Sequence, residues 1–147
     1  MRRLFLMGLL LVLASCQDAT APRTDLDALA VQVRVTPQTV VAGSEATVTL
    51  TLTNRTGRSL SVASCPMYFW VQTGGEVVSG SRSGACLTIG LPPLIFGPHE
   101  TKNIPFSWPA VYTEAMLPGT YKVFGWISDA RHASLPVSVT VLAARNQ

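Results

Sequence analysis

The sequence has no apolar run long enough to cross a membrane. The N-terminal run Leu4–Leu13, broken only by Gly8, is about half of the roughly 20 residues that a spanning helix needs. Metal-ligand patterns are also missing: the two histidines and three cysteines form no CxxC or HxxxH pair, and carboxylates do not cluster. Serine is plentiful, but Gly80 and Gly84 flank a central arginine, so this segment is not a nucleophile elbow.

The short apolar run has the layout of an export signal, because two arginines precede it. It ends in Leu-Ala-Ser-Cys, which resembles the lipobox of bacterial lipoproteins, in which the cysteine is acylated and becomes the first mature residue. This resemblance predicts a lipid anchor on Cys16 and an extracytoplasmic location. Gln17, rather than an aspartate, follows the cysteine and favours the outer membrane. The alternatives are an ordinary signal with a chance cysteine, and a buried amphipathic helix.

Three regions follow from this interpretation: a signal peptide at 1–15, a lipidated N-terminus and flexible tether at 16–29, and one domain at 30–147. Removing the signal lowers the formal charge from +3 to +1, because Arg2 and Arg3 leave and no acid does. A nearly neutral domain with scattered charges has no electrostatic footprint for nucleic acid. We therefore expect no nucleic-acid partner.

Two further cysteines, Cys65 and Cys86, remain in the predicted domain. In an oxidising compartment the simplest expectation for such a pair is a disulfide. It would contribute about 3 kcal/mol on the chain-entropy model. A metal site with His99 or His132 is the alternative, but the local spacing supports neither zinc nor blue copper. We expect no metal or other cofactor.

Short strands account for the rest of the chain. Ala46–Thr53 alternates valine or leucine with threonine, the pattern of a strand with one buried and one solvated face. Met67–Thr73 is aromatic on both faces, which predicts a central strand, and Gly74 and Gly75 then form a hairpin turn. The pattern predicts an all-β, immunoglobulin-like antiparallel sandwich of seven to eight strands, with Tyr121 as a tyrosine corner.

The order of these motifs resembles the intracellular proteinase inhibitor (BsuPI-like) domain over roughly residues 30–142. The resemblance rests on VTLTLTN at 48–54, YFWV at 68–71, the Pro-x-Glu-Thr turn at 98–101, a strand closing on Trp108 and PGTY at 118–121. It implies a β-sandwich and, as an expectation, proteinase inhibition without an assignable reactive loop. This chain departs from the family at His99, where glycine is usual, and in carrying a lipobox and a cysteine pair.

Two places outside the expected core are candidates for binding a partner. The glycine- and serine-rich segment 80–93 is predicted to be a loop, with Arg82 as its candidate contact. Phe124 and Trp126 lie on the strand face opposite the core, where they would form an aromatic patch. Trp70 and Trp108 are predicted to pack in the core. His99 and His132 are predicted to be solvated turn and loop residues.

The sequence therefore predicts a membrane-anchored, non-catalytic immunoglobulin-like module that binds another envelope or secreted protein. No acid–base or nucleophile constellation points to an enzyme. The alternative is a proteinase inhibitor that acts through an exposed loop, with a protease as the partner.

Overall fold

Ten strands and one 3-10 turn make up the part of the chain that the computed structural model describes, residues 26–63, 67–82, 92–110, 117–127 and 132–144. The 3-10 turn is Leu26–Ala28. The strands are β1 Leu29–Thr36, β2 Thr39–Val41, β3 Glu45–Asn54, β4 Leu60–Val62, β5 Met67–Thr73, β6 Glu76–Arg82, β7 Leu94–Phe96, β8 Thr101–Pro109, β9 Gly119–Ile127 and β10 Val137–Leu142. No helix in these described ranges is both long and apolar enough to span a bilayer.

The strands form two packed sheets and a short ribbon. One sheet has the order β1-β3-β8, the second β2-β10-β9-β5-β6, and β4 pairs with β7. This confirms the predicted all-β, immunoglobulin-like sandwich. Two details differ from the prediction. The structure has ten strands instead of seven to eight, and three of them, β2, β4 and β7, are only three residues long. In addition, β2 pairs with β10 in parallel, so the second sheet is mixed.

The core follows from period-two alternation, which places every second side chain between the sheets. In β3 all even-numbered residues from Ala46 to Asn54 are buried, while the threonines face outward. The two sheets approach closely at Gly125 of β9, where a Cβ atom would lie 2.1 Å from Cδ1 of Leu50. Trp108 is 1% exposed, which confirms its predicted place in the core.

The predicted turns and the tyrosine corner are also present. Gly74 and Gly75 have φ angles of 58° and 91°, which glycine adopts without strain, and they join β5 to β6. The Tyr121 hydroxyl donates a hydrogen bond to the Leu117 carbonyl, as predicted for the corner that precedes β9. The loop predicted at 80–93 begins later than expected, because β6 continues through Arg82.

One end of the sandwich, here called the N-terminal end, is where the chain enters β1. Leu29 pairs with Asn54, and Met67 pairs with Ile127, so both sheets meet this end at these pairs. The 3-10 turn immediately before β1 is fixed to the β3–β4 turn, since Arg55 N–H donates to the Ala28 carbonyl over 3.0 Å. Any segment that precedes the domain therefore joins it at the N-terminal end.

Asn54, fully buried at this end, connects two turns. Its amide nitrogen donates to the carbonyls of Arg58 and Gly97, each over 2.7 Å. Its side-chain oxygen accepts from the Thr56 N–H and hydroxyl at 2.8 and 2.7 Å. The amide thus makes all four hydrogen bonds of which it is capable. It locks the β3–β4 turn to the turn that precedes β8.

The β7–β8 turn is closed by a second polar cluster. Glu100 accepts hydrogen bonds from the Gly97 N–H at 2.6 Å and from the Lys102 ammonium at 2.7 Å. The Lys102 hydrogen bond, followed by that from Gly97, holds the pKa of Glu100 below its ordinary value of 4.5. His99, where the BsuPI-like family usually has glycine, has a left-handed φ of 57° and donates its N–H to Thr56.

Asn54→Ala is expected to lower the free energy of unfolding by about 3 kcal/mol, because it removes four hydrogen bonds that join partly buried groups of two turns. Asn103→Ala is the matched control. Asn103 lies on an exposed strand face and accepts one hydrogen bond, from Thr51. It should change stability by less than about 0.5 kcal/mol. Urea denaturation of both variants measures the difference, and equal losses would contradict the role given to Asn54.

Candidate binding site on an aromatic sheet face

Four aromatic side chains share the outer face of the five-stranded sheet. Because residues directly opposite in antiparallel strands point to the same side, the register sets their arrangement. Tyr68 of β5 lies opposite Trp126 of β9, and Trp70 lies opposite Phe124. We call these four residues the aromatic cluster. The sequence pattern predicted the β9 half of the cluster, Phe124 and Trp126, but not the β5 half.

The rings of the aromatic cluster pack on one another. The Trp70 and Phe124 rings are stacked, with centroids 5.2 Å apart and planes 8° apart. The Tyr68 and Trp126 centroids are 5.1 Å apart, and Trp70 meets Trp126 edge-on at 5.3 Å. Such pairs contribute about 1 kcal/mol each beyond their buried area. The four rings therefore form one ordered patch rather than four independent side chains.

Each ring of the cluster is half-buried. The Nε1 atoms of Trp70 and Trp126 are covered, and neither has a hydrogen-bond partner in the structure described. Since these donors do not reach the surface, the exposed part of each indole is carbon. The exposed surface of the cluster is therefore mainly apolar, apart from the Tyr68 hydroxyl.

Residues of the neighbouring strands shape the border of this patch. Gly80 of β6 pairs with Trp70 and brings no side chain over the indole. A Cβ atom there would lie 2.7 Å from the Phe69 carbonyl oxygen, so the close approach of β6 requires glycine. On the other side, exposed Lys122 and Ser138 pair across β9 and β10. An apolar centre with a polar margin is the composition of protein–protein interfaces.

Trp70 was predicted to pack in the core, but it lies on the outer face of the sheet. Met67, Phe69 and Val71 face the core, whereas Tyr68, Trp70 and Gln72 face outward and are half-buried. The signal was present in the alternation of the strand, because Trp70 lies at the same parity as Tyr68 and Gln72, which both carry polar groups. The prediction followed the hydrophobicity of the tryptophan side chain and not its position in the alternation.

The other predicted site residues fall into two groups. Arg82 is the last residue of β6 and pairs with Tyr68, which puts it on the strand beside the cluster rather than within a loop. Cys16, Cys65 and Cys86 lie outside the described residues, so the anchor and the disulfide stay predictions. Within the described ranges, no three His, Cys, Asp or Glu side chains are grouped as metal ligands would be.

The two histidines lie in different settings. His99 lies in the turn where it was predicted. His132 is 13% exposed, less than expected for a solvated loop, and its Nε2 lies 3.0 Å from a carboxylate oxygen of Asp27. This contact links the β9–β10 connection to the 3-10 turn.

No family model matches the chain, and no curated protein does. Solved structures show the fold. The alkylpurine DNA glycosylase AlkC of Pseudomonas fluorescens, bound to DNA, aligns at 12% identity and a TM-score of 0.52, over 78% of this chain and 31% of that one. A β-glucosidase of Erythrobacter marinus aligns at 9% identity and a TM-score of 0.51, over 78% and 15%.

A Paenibacillus cycloisomaltooligosaccharide glucanotransferase, complexed with cycloisomaltoheptaose, aligns at 11% identity and a TM-score of 0.50, over 78% of this chain and 14% of that one. The chain thus spans less than a third of the length of each of these proteins. At such identities the likeness concerns the sandwich fold alone.

Trp126→Ala is expected to lower the free energy of unfolding by about 2 kcal/mol, because it removes two aromatic pairs of about 1 kcal/mol each at a half-buried site. Trp108→Ala removes a fully buried indole and should cost about 4 kcal/mol. Chemical denaturation of both variants compares the two tryptophans directly. If both losses are equally large, the outer face is part of the core and the cluster is not a binding surface.

Proposed function

We propose that this protein is a lipid-anchored, non-catalytic immunoglobulin-like module that binds another protein of the bacterial cell envelope. The aromatic cluster carries the proposal, because its rings present carbon surface on a rigid sheet. Tryptophan and tyrosine are enriched among the residues that dominate protein–protein binding energy. Apolar surface patches with a polar rim mark interaction sites on proteins.

The geometry favours a protein over a small polar ligand. With both indole donors covered, the tryptophans of the cluster have no exposed N–H with which to bind a polar group. Recognition then depends on shape and apolar contact at the centre, while Lys122 and Ser138 supply polar contacts at the margin. An apolar side chain of a partner fits these requirements.

Proteinase inhibition is the alternative that the resemblance to BsuPI-like domains suggested. It requires an exposed loop that enters a protease active site, and the resemblance assigns no such loop in this chain. The aromatic cluster is not a loop and does not enter an active-site cleft as an inhibitory segment would. We therefore propose binding at the sheet face and keep inhibition as the second candidate.

Photo-crosslinking in intact cells tests the sheet face. A photoreactive amino acid at Lys122, beside the cluster, is expected to give a discrete covalent adduct with one envelope protein. The same probe at Thr49, on the outer face of the opposite sheet, should give none. Adding Trp126→Ala should abolish the Lys122 adduct while the protein stays folded. An adduct formed only from Thr49, or none from either position, would refute binding at this face.

Cys16→Ala is expected to remove the anchor, because the apolar run is too short to span the membrane on its own. The protein should leave the membrane fraction on alkaline washing, whereas the unaltered protein should remain. Cys65→Ala serves as the control for loss of a cysteine elsewhere. Membrane retention of the Cys16→Ala protein equal to that of the unaltered protein would show that the lipobox interpretation is wrong.

A further inference from the structure

Leu135, in the connection between β9 and β10, projects at the border of the aromatic cluster. It is 87% exposed, more than any other large apolar side chain in the described ranges. Ala133 forms a bridge opposite Trp126, so these two residues share the outer side of the sheet. Ser134 then turns inward and is buried. Alternation returns Leu135 to the outer side, next to Phe124.

The backbone beside Leu135 is fixed to β9. The Ser134 N–H donates to the Gly125 carbonyl over 2.7 Å, and the Ser134 hydroxyl accepts from the Gly125 N–H over 2.9 Å. Pro136 follows Leu135 and restricts its backbone further. Leu135 is therefore held out from an ordered segment, and its backbone loses little conformational freedom when a partner covers the side chain.

The border of the cluster at β6 is lower. Phe124 pairs with Trp70, and Trp70 with Gly80, so these residues and Leu135 form one row across the outer face. Gly80 ends the row without a side chain, on a strand that is the edge of its sheet in the described ranges. A strand glycine often marks a place where another chain approaches closely. At a strand spacing of about 4.8 Å, the projecting end and the low end of the row lie about 14 Å apart.

A second copy of the chain matches this row. A two-fold axis that runs parallel to the strands in the plane of contact, between β5 and β9, turns the row end for end. Leu135 of each copy then faces Gly80 of the other, and Trp70 faces Phe124. Contacts of this kind are isologous, which is the arrangement of most homodimers. The two sheets would pack with their strands aligned, about 10 Å apart.

The charges of the face agree with this axis. Lys122 of β9 and Glu76 of β6 are both exposed, and Lys122 pairs with Gln72 within the sheet. The axis places Lys122 over Gln72 of the second copy, with Glu76 of that copy about one strand away. The two Lys122 residues lie on opposite sides of the axis, and the register position of Arg82 falls opposite Ala133 of the second copy. Lys122 therefore meets an amide and a carboxylate, and not a second cation.

The same axis suits two chains that are anchored in one membrane. A rotation about an axis parallel to the strands leaves the strand direction unchanged, so the N-terminal ends of both copies point the same way. Cys16 precedes Leu26, where the described structure begins, by ten residues, which reach about 35 Å at full extension. Both proposed anchors can then enter one bilayer, whereas an axis across the strands would put the two N-terminal ends on opposite sides.

We propose that the partner of the aromatic face is a second copy of this chain, with Leu135 of each copy packed at Gly80 against the Trp70 indole of the other. The proposal rests on the proposed function and names the partner of that same site. It makes Leu135 the side chain that fixes the register of the contact.

Energy transfer between donor-labelled and acceptor-labelled copies of the lipidated protein, in phosphatidylcholine vesicles, tests the self-association. The unaltered protein is expected to show transfer. Leu135→Asp should raise the dissociation constant at least about 30-fold, because it buries a carboxylate without a partner. Ile95→Asp is the matched control, since Ile95 is 55% exposed on β7, away from the aromatic face, and it should leave transfer unchanged. Equal losses from the two variants, or no transfer by the unaltered protein, would overturn the proposal.

Paired cysteines test the axis. Val77 is 60% exposed on β6, one row from Gly80, so it lies near Leu135 of the second copy. Each of these two residues is about 14 Å from its own counterpart across the axis. A short thiol cross-linker should therefore join Leu135→Cys to Val77→Cys chains only when the two variants are mixed, with the unaltered protein as the control for the native cysteines. Equal joining within each variant alone would contradict this axis.

The photoreactive probe at Lys122 separates this proposal from the proposed function. An adduct of two copies of the chain is the expected result. An adduct with a different envelope protein, together with no energy transfer, would overturn the second copy as partner and leave the proposed function standing. No adduct and no transfer would overturn both.

Discussion

The buried amide of Asn54 is the constraint on which the N-terminal end depends. A fully buried side-chain amide is tolerated only when its donors and acceptors are paired, and here all four positions are used. Its partners come from two turns, and Gly97 in the second turn is 43 residues from Asn54 in the chain. The amide therefore fixes a long-range contact that hydrophobic packing alone leaves free to slide. Asn54 also bonds the turn that contains Gly97, His99 and Glu100. It therefore helps to fix the position of that turn and of the start of β8.

The same sheet serves two purposes because its strands alternate. One side of β5 and β9 fills the core with Phe69, Val71 and Val123, and the other side carries the aromatic cluster. Core packing makes the backbone rigid, so the outward rings are held without needing a loop to position them. Because the indole N–H groups are covered, the tryptophans expose only carbon atoms. Hydrogen bonds to a partner would therefore come from the polar margin of the face.

The parts of the fold that depend on local pattern were predictable. The β3 alternation, the glycine hairpin turn and the Tyr121 corner are short-range signals, and each appears where it was expected. β2 was missed because three residues give no periodicity, and its parallel pairing with β10 is a tertiary contact. The aromatic cluster was only half found, since it exists only once the register of β5 against β9 is known. Trp70 was misplaced because a large apolar side chain suggests burial more strongly than its neighbours suggest exposure.

The direction of the aromatic face has a consequence for how a partner is met. The face runs parallel to the strands, and the chain enters at one end of them. Under the proposed lipid anchor, that end would lie toward the bilayer and the rings would face sideways along the membrane. A partner held in the same leaflet would then be found by diffusion in two dimensions, at a high effective concentration. Such a pair needs only modest intrinsic affinity, and a soluble competitor with the same contact surface would compete poorly.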